Sequence, residues 1–339
     1  MTAAPGAAAG PVAGAVSVVL VNWNGRTFCE PCLTALRAQR PAPLELIVVD
    51  NGSSDGSAEW LAAQPDVRLV RNPRNRGFAA ANNQGLALAQ GEYVLCCNLD
   101  VVLDPGFLAA AAAVLRDQPG VGSVGGRLRR PAGPGAVARL DTTGHVVHRC
   151  GWGRNRGQGE PDDGRQRMAQ EVFGVSAAAA LYRRAMLLDV AVAGEVFPEP
   201  FFAYIEDLDL DWRARWRGWR AWYEPAATAT HHRGGSGLHA TAAIEAHVLA
   251  NRLLCLLRNA DGPAFWGRDW PAVLAFTALR SAWAARRHPG ALRGLWWALR
   301  RAPWAWRSRR WLRRRRRAHP VEVDAWVQPT PWARLLRRD

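Results

Sequence analysis

Short apolar runs alternate with helical patterns along the first hundred residues of the chain. The runs are Val16–Val21, Leu44–Val49, Val67–Val70 and Tyr93–Cys97. A run that is apolar without alternation is typical of a strand buried on both faces, and helices between such strands indicate parallel pairing. The pattern therefore predicts an α/β domain with a mostly parallel sheet flanked by helices.

Polar residues stand where three of these strands end. Asn22 follows the first run, Asp50 the second and Asp100 the fourth. In open parallel sheets, ligands bind outside the carboxyl ends of the strands. One aspartate after a strand is usually part of a turn, but three polar strand ends on one edge of the sheet predict a binding site.

A cluster of acidic residues lies farther along the chain. Four carboxylates fall within six residues: Glu206, Asp207, Asp209 and Asp211. If a helix begins here, Asp209 and Asp211 can pair with Arg213 and Arg215 at the i to i+4 spacing, which predicts a solvated or structural role. Glu206 and Asp207 have no arginine at that spacing. Spacing alone leaves open whether they stabilise the helix start or act in an active site.

The remaining segments are described by composition and periodicity. Residues 127–170 are rich in glycine, proline and arginine, which predicts loops and short strands over the sheet edge. After an apolar segment and the acidic helix, Trp219–Tyr223 is interpreted as a strand, and helical patterns follow Thr241. The six cysteines are scattered, so we expect reduced thiols in the core and not a disulfide framework or a zinc site.

Length and composition limit the class of protein. With 339 residues and 49% hydrophobic content, the chain can bury a large core, which excludes disorder of the whole. Residues 1–15 are mostly alanine, glycine and proline and are expected to form a flexible leader, not a signal peptide. No apolar stretch has the length of a membrane span, so the expected compartment is the cytoplasm.

Basic charge is concentrated near the C-terminal end. Between Asp269 and Glu322 there is no acidic residue, while fourteen arginines provide nearly all of the formal net charge of +15. The arginines are Arg280, Arg286, Arg287, Arg293, Arg300, Arg301, Arg307, Arg309, Arg310 and Arg313–Arg317. Tryptophans interleave with them, a composition that suits an anionic membrane surface. An ordinary solvated helix face is the alternative, and nucleic acid is an unlikely partner.

Five motifs in this order resemble the family 2 glycosyltransferases, inverting enzymes of GT-A fold, and in particular their rhamnosyltransferase-like branch. The motifs are residues Val18–Asn24, Val48–Gly56, Asn75–Asn83, Asn98-Leu99-Asp100, and Glu206–Leu210 followed by Trp212-Arg213. The resemblance spans roughly residues 16–258. It implies a GT-A, Rossmann-like domain at 16–245 and leaves 246–339 as a helical, arginine- and tryptophan-rich appendage at a membrane surface.

The resemblance implies a role for each motif. The donor nucleotide would be bound by Val21, Trp23, Asp50, Gly77, Asn83 and Asn98. Asp100 and His231, with His232 as the alternative histidine, would bind a divalent cation, Mg²⁺ or Mn²⁺. Asp207 would be the general base, and Glu206 would orient the acceptor or tune Asp207 by like-charge coupling.

The implied reaction is transfer of a sugar from a nucleotide donor to a lipid-linked or polysaccharide acceptor. The resemblance favours dTDP-rhamnose as the donor, and a UDP-sugar such as UDP-galactofuranose is the second choice. The partners would then be the donor, the glycan acceptor and the inner face of the cell membrane. A degenerate transferase domain that only binds a membrane or nucleic acid is the alternative from another class of function. Asp100 and Asp207, both present, favour the enzyme.

Overall fold

The computed structural model describes residues 10–133, 135–233, 241–261 and 268–332. Residues 1–9 of the expected leader and the glycines Gly234 and Gly235 after the histidine pair lie outside this range. The strands are β1 (Val12–Asn22), β2 (Glu45–Asp50), β3 (Val67–Arg71), β4 (Gly91–Asn98), β5 (Val101–Leu103), β6 (Val121–Arg129), β7 (Leu140–Thr142), β8 (His145–His148), β9 (Gly153–Asn155), β10 (Gln170–Val172), β11 (Ala179–Arg183), β12 (Arg220–His231) and β13 (Val327–Gln328). The helices are α1 (Arg26–Arg37), α2 (Ser57–Ala62), α3 (Phe78–Leu88), α4 (Phe107–Asp117), α5 (Arg184–Val190), α6 (Glu206–Trp216), α7 (Ala242–Asn259), α8 (Trp270–Arg287), α9 (Arg293–Arg315) and α10 (Pro320–Asp324).

The main sheet has the predicted parallel half. Its principal order is β10-β12-β6-β11-β4-β1-β2-β3. The neighbours β3, β2, β1 and β4 are all parallel, as the uninterrupted apolar runs predict. Strand β11 is antiparallel to both β4 and β6, so the sheet is mixed beyond β4. The predicted α/β class with helices flanking the sheet is confirmed.

Strand β1 begins earlier than the apolar run does. It starts at Val12, so residues 12–15 of the expected flexible leader are extended in the sheet. The Val12 amide donates to the carbonyl of Gln90, and the Gly14 amide donates to Glu92. Backbone pairing with β4 holds this alanine- and glycine-rich stretch, and such pairing leaves no mark in side-chain hydropathy.

The core is divided by the sheet into two apolar layers, and the C-terminal helices form a third cluster. One layer packs α1 and α4 against one face, and the other packs α5 and part of α6 against the opposite face. All six cysteines are free and buried, as expected for reduced core residues. The third cluster joins Trp212 and Trp216 of α6 to residues of α7 and α9.

The glycine-, proline- and arginine-rich segment forms short strands, as predicted. Residues 127–170 contain β7, β8 and β9, and β8 pairs with β9 and with β13 in a separate small sheet. This segment is more than a cover for the sheet edge. Asp141 and His145, which it carries, are buried beside functional candidates.

Helices follow Thr241, as predicted, and they are integrated with the sheet domain. Asn259 of α7 donates a 2.6 Å hydrogen bond to Asp209 of α6, and α7 packs along α9. No helix in the described parts of the chain combines the length and apolar character that crossing a bilayer requires.

Candidate active site

The candidate site lies where the chain order of the sheet reverses. Strand β1 is flanked by β2 on one side and by β4 on the other, so the loops after β1 and β4 leave in opposite directions. Register pairs Asn22 with Asp50 and Val21 with Asn98, which brings the predicted polar strand ends to one edge. A cavity of about 1160 Å³ opens at this edge.

Seven of the ten residues assigned from the sequence line this cavity. They are Val21, Trp23, Asn98, Asp100, Glu206, Asp207 and His231. These residues come from β1, the turn after β4, the start of α6 and the end of β12. The fold thus brings together groups that are more than 200 residues apart in the sequence.

The other three assigned residues, Asp50, Gly77 and Asn83, lie outside the cavity lining. Asp50 is buried, and its carboxylate accepts hydrogen bonds from Asn22 Nδ2, from Ser53 Oγ and from the amides of Gly52 and Ser53. Four donors fill the acceptor positions of a carboxylate. A nucleotide base that bound Asp50 would have to displace one of them.

Gly77 and Asn83 have positioning contacts instead. Gly77 precedes α3 with a φ of 90°, and a Cβ there would lie 2.6 Å from the carbonyl oxygen of Phe202. Asn83 Nδ2 donates to the carbonyl oxygen of Phe197 at 2.8 Å, and its Oδ1 accepts from the amide of Phe197. Both residues contact the segment that leads into α6, and neither faces the cavity where a donor would bind.

The Asp100 side of the cavity contains the predicted metal ligands. Strand β5 pairs antiparallel with β12 and places His231 opposite Val101. His231 Nε2 lies 3.3 Å from Asp100 Oδ1, and His231 Nδ1 lies 2.8 Å from Asp141 Oδ2. Burial opposes the positive charge on the ring, but hydrogen bonds to Asp100 and Asp141 raise the pKa of His231 to about 9.

Asn98 contributes an unsatisfied oxygen to the same wall. Its Oδ1 is buried and has no hydrogen-bond partner within the described chain. A buried oxygen without a donor is costly unless a cation or a ligand satisfies it. The ranges that the structure describes contain no group of three or more His, Cys, Asp or Glu side chains arranged to hold a metal ion. A cation bound here would therefore have few protein ligands of these types among the described residues.

His231, not His232, is directed at Asp100. The ring of His232 packs 5.5 Å from the ring of Phe28, and the backbone amide of His232 donates to the carbonyl oxygen of Asp100. His231 is the last residue of β12 and His232 follows it, and adjacent side chains of an extended chain point to opposite sides. The geometry thus favours the first of the two histidines that the sequence left as alternatives.

Asp207 lies in the first turn of α6 and faces the cavity from there. Its Oδ1 accepts from the amide of Leu208 at 2.8 Å, and its Oδ2 accepts from the amide of Ala177 at 3.2 Å. Backbone donors and the helix N-terminus both stabilise negative charge at this position. The side chain keeps 18% exposure, which leaves it accessible from the cavity.

The backbone before α6 is in an unusual conformation. Phe202, Tyr204 and Ile205 have φ values of 66°, 72° and 71°. Positive φ costs non-glycine residues free energy, and such strain persists only when surrounding contacts hold it. Asn251 of α7 supplies those contacts, because its Nδ2 lies 2.8–2.9 Å from the carbonyl oxygens of Phe201, Ala203 and Tyr204. The C-terminal helices therefore shape the active-site loop.

Glu206 differs sharply from its neighbour. It is 5% exposed, and its Oε2 has no hydrogen-bond partner in the described structure. Burial, reinforced by the charge of Asp207, holds the pKa of Glu206 well above its usual range. This environment favours the neutral carboxylic acid, the form of Glu206 that can donate a hydrogen bond into the cavity.

The predicted pair of Asp209 and Arg213 is confirmed, although both residues are buried and neither lies on a solvated face. Arg213 Nε donates to Asp209 Oδ2 at 2.8 Å, and both side chains are 0% exposed. The other guanidinium nitrogens donate to the carbonyl oxygens of Val190 and Val196, each at 2.6 Å. This pair fixes α6 against the β11–α6 connection.

The predicted pair of Asp211 and Arg215 is wrong. Arg215 instead binds Glu171 and the carbonyl oxygen of Phe173, because α6 packs that face onto the strand before β11. Asp211 faces inward and pairs with His145, with 2.7 Å between Asp211 Oδ2 and His145 Nδ1. The partner lies 66 residues away, so helical spacing could not indicate it.

Two functional candidates, Asp141 and His145, were missed from the sequence. They lie four residues apart in a stretch, Asp141-Thr142-Thr143-Gly144-His145, that lacks clear periodicity. The run of polar residues between apolar Leu140 and Val146 has the composition of an ordinary loop, so the sequence carried no signal that these residues are buried. Asp141 is 1% exposed and supports His231, and His145 supports Asp207 and Asp211.

Helix α8 closes the cavity on the side away from the sheet. One face of the helix lines it with both apolar and basic side chains: Phe276, Leu279, Arg280, Trp283, Arg286 and Arg287. The spacing of three and four residues puts these side chains on one side. Arg280 forms an ion pair with Glu245 at 2.6 Å and lies over the ring of Trp283.

Part of the basic tail is structural. Arg309 is 2% exposed and pairs with Asp261 at 3.0 Å. Arg313 and Arg316 reach the same carboxylate at 3.0 Å and 2.8 Å. These arginines attach α9 to the end of α7, so the surface charge of the tail is smaller than the sequence suggests.

Comparison with known proteins identifies the family. The sequence matches the model of Glycosyl transferase family 2 over residues 17–190, more than half of the chain. The chain is a family 2 glycosyltransferase. The transferase is 30% identical over 291 residues to N-acetylglucosaminyl-diphospho-decaprenol L-rhamnosyltransferase of Mycobacterium tuberculosis, which covers 80% of this chain and 91% of that protein. The predicted resemblance to the rhamnosyltransferase-like branch is confirmed.

Solved structures support the fold of the transferase. GalNAc-T7 with UDP, GalNAc and Mn²⁺ aligns with a TM-score of 0.58 at 13% identity and covers 79% of this chain and 51% of that one. TarS 1–349 of S. aureus aligns with a TM-score of 0.54 at 17% identity and covers 92% and 89% of the two chains. The GT-A fold is thereby confirmed, and family membership makes the protein an enzyme and not only a binding module.

Proposed function

We propose that the transferase is a metal-dependent, inverting enzyme that moves a sugar from a nucleotide donor to a lipid-linked acceptor. The observation that carries this proposal is the common wall of one cavity, where Asp207 shares the space with Asn98, Asp100 and His231. One group can take a proton, and the others can bind a cation. The donor of choice is dTDP-rhamnose, supported by the mycobacterial relative, whose name describes an L-rhamnosyltransferase.

The acceptor hydroxyl oxygen bonds to the anomeric carbon while the bond from that carbon to the donor diphosphate breaks. This single displacement inverts the configuration of the anomeric carbon. Asp207 acts as general base and takes the proton of the hydroxyl group. Two backbone amides and the start of α6 hold its carboxylate in place. In its neutral form, which burial favours, Glu206 would donate a hydrogen bond to the acceptor.

The residues around Asp100 fit Mg²⁺ or Mn²⁺. Asp100 and the unsatisfied Oδ1 of Asn98 would supply oxygen ligands, and His231 would supply a nitrogen ligand once the cation displaces the proton on its Nε2. Mg²⁺ is typically held by one or two carboxylates together with substrate phosphates and water, so a small protein ligand set is sufficient. A bound cation would neutralise the charge that develops on the departing diphosphate.

Replacing Asp100 is expected to abolish the dependence of donor binding on metal. In a thermal-shift titration, dTDP and UDP with MnCl₂ should raise the melting temperature of the wild type, and Asp100→Asn should lose most of that increase. Asp104→Asn is the matched control, because Asp104 lies outside the cavity and pairs with Arg129. Equal stabilisation of all three proteins would exclude Asp100 as a metal ligand. A larger shift with UDP than with dTDP would favour a UDP-sugar such as UDP-galactofuranose.

The cavity-lining face of α8 supports a lipid-linked diphosphate as the acceptor. Leu279 and Trp283 offer apolar surface, and Arg286 and Arg287 offer guanidinium groups suited to phosphate oxygens. Exposed Trp296 and Leu299 on α9 extend the apolar surface outside the cavity. We therefore place the transferase at an anionic membrane surface, with α8 between the lipid and Asp207. Nucleic acid stays an unlikely partner.

Two double variants, each replacing two arginines by glutamates, distinguish binding of the acceptor from attraction of the protein to a membrane. Arg286→Glu with Arg287→Glu is expected to raise the KM of a short-chain prenyl diphosphate sugar about tenfold or more, since each charge-assisted contact is lost. Arg310→Glu with Arg314→Glu makes the same charge change outside the cavity and should leave that KM unchanged. Sedimentation with phosphatidylglycerol vesicles should fall in both variants. An equal rise in KM for both pairs would mean that overall charge, not the α8 face, attracts the acceptor.

A further inference from the structure

A buried histidine lies behind the proposed base. His145 begins strand β8 and is 6% exposed, and its Nε2 lies 3.6 Å from Asp207 Oδ2. Its Nδ1 lies 2.7 Å from Asp211 Oδ2. The imidazole is thus placed between two carboxylates of the same helix, one of which faces the cavity.

The histidine is held by its backbone as well as by its ring. The amide of His145 donates to the carbonyl oxygen of Gly174 at 2.8 Å. Gly174 has no room for a side chain, because a Cβ there would lie 1.8 Å from Asp211 Oδ2. Asp211 is therefore closely packed between Gly174 and His145, and this packing fixes the direction in which Nε2 of His145 points.

The surrounding charges favour an imidazolium. On α6, Asp207 and Asp211 face His145. On strand β9, Asn155 pairs with His145, and Arg154 pairs with the next residue, Val146. Burial opposes the charge, but Asp207 and Asp211 outweigh burial and raise the pKa of His145 above its ordinary value. Burial, lessened by the hydrogen bond from His145, raises the pKa of Asp211 to about 6.

The nearby groups that could add negative charge are largely neutral. Burial, reinforced by the charge of Asp207, favours the neutral form of Glu206 by raising its pKa well above the usual value. Tyr182 is likewise neutral, because burial and the charge of Asp211 raise its pKa well above the ordinary value. The negative charges that remain close to His145 are those of Asp207 and Asp211.

We propose that His145 is the counter-ion of the general base: an imidazolium, anchored by Asp211, that keeps the carboxylate of Asp207 ionised and oriented toward the acceptor hydroxyl. His145 is a positioning residue in this proposal, because it acts through Asp207. The inference rests on the proposed role of Asp207. His145, on strand β8, thereby takes part in the reaction, and the function of Asp211 is to hold His145 in place.

The pH dependence of turnover tests this role. In His145→Gln the acid limb of the kcat profile is expected to move to higher pH by about one unit or more, because an opposite charge within 4–6 Å no longer favours the ionised base. The KM of the donor should stay near the wild-type value. Asp211→Asn should shift the limb in the same direction by a smaller amount, since His145 then charges less readily.

His148→Gln serves as a matched control, and an NMR titration measures the charge of His145 without any turnover. His148→Gln replaces another buried histidine of β8, one that faces the carbonyl of Pro329, and should leave the profile unchanged. NMR titration of the imidazole signals, with His145 assigned by its absence in His145→Gln, requires no turnover. His145 should titrate above the ordinary value of about 6.5, and it should titrate lower in Asp207→Asn and in Asp211→Asn.

Two results would overturn the proposal. One is a His145 titration at or below the ordinary value that Asp207→Asn leaves unchanged. The other is a His145→Gln enzyme whose acid limb coincides with that of the wild type. If the imidazole titrates as expected while no nucleotide sugar is turned over, the counter-ion is supported and the proposed reaction fails, so the two failures are distinguishable.

Discussion

Asp207→Asn is expected to lower the kcat of sugar transfer about 10²–10⁴-fold, the usual contribution of a positioned general base. Asparagine preserves the size of the side chain and one acceptor for the backbone amides of Ala177 and Leu208. It cannot take a proton from the acceptor hydroxyl. Steady-state kinetics with donor and acceptor varied separately measure the effect.

Three controls accompany this substitution. The KM of the donor and the thermal shift by nucleoside diphosphate with MnCl₂ should match the wild type, because the residues assigned to the cation are unchanged. The melting temperature without ligand should change little. Transfer at the wild-type rate by folded Asp207→Asn would assign the base to another group on the cavity wall.

Arg213→Met is expected to reduce the free energy of unfolding by about 3–5 kcal/mol, the usual cost of removing one partner of a buried ion pair. The substitution leaves the fully buried carboxylate of Asp209 without its closest cation. It also removes the donors to the carbonyl oxygens of Val190 and Val196. Denaturant unfolding followed by circular dichroism gives the free energy, provided that the slope with denaturant is unchanged.

Arg37→Met is the matched control for Arg213→Met. Arg37 also binds an aspartate through two nitrogens, Nε and Nη2 to Asp66, but the two side chains are 38% and 44% exposed. An exposed pair contributes about 1 kcal/mol or less. Equal losses for the two variants would show that the burial of Arg213 does not set the strength of its ion pair.

The sequence was sufficient where a signal is local. Uninterrupted apolar runs predicted the parallel strands, and their ends predicted the edge that carries Asn22 and Asn98. Helical spacing predicted the pair of Asp209 and Arg213. Each of these inferences depends on residues within a few positions of one another, for which the periods of strand and helix are reliable guides.

Local spacing failed where a closer partner came from a distant segment. Asp211 had Arg215 at the favourable spacing, yet it binds His145, because its position on α6 faces the core. A buried carboxylate needs a partner inside the core, and helical spacing cannot say which strand supplies it. The same reason explains why Asp141, the support of His231, was not found in the segment between β6 and β8.

For the acidic residues at the start of α6, the sequence determined which residues are present and the tertiary structure determined their surroundings. The sequence by itself determined the family, the parallel sheet, the strand ends at the site and the presence of Asp207 and Glu206 at a helix start. Only the tertiary structure decided their surroundings: Glu206 is buried, which favours its neutral form, Asp207 faces the cavity beside His145, and α8 contributes to the cavity wall. Burial and long-range pairing set the charge of a carboxylate, and both arise only when distant segments pack together.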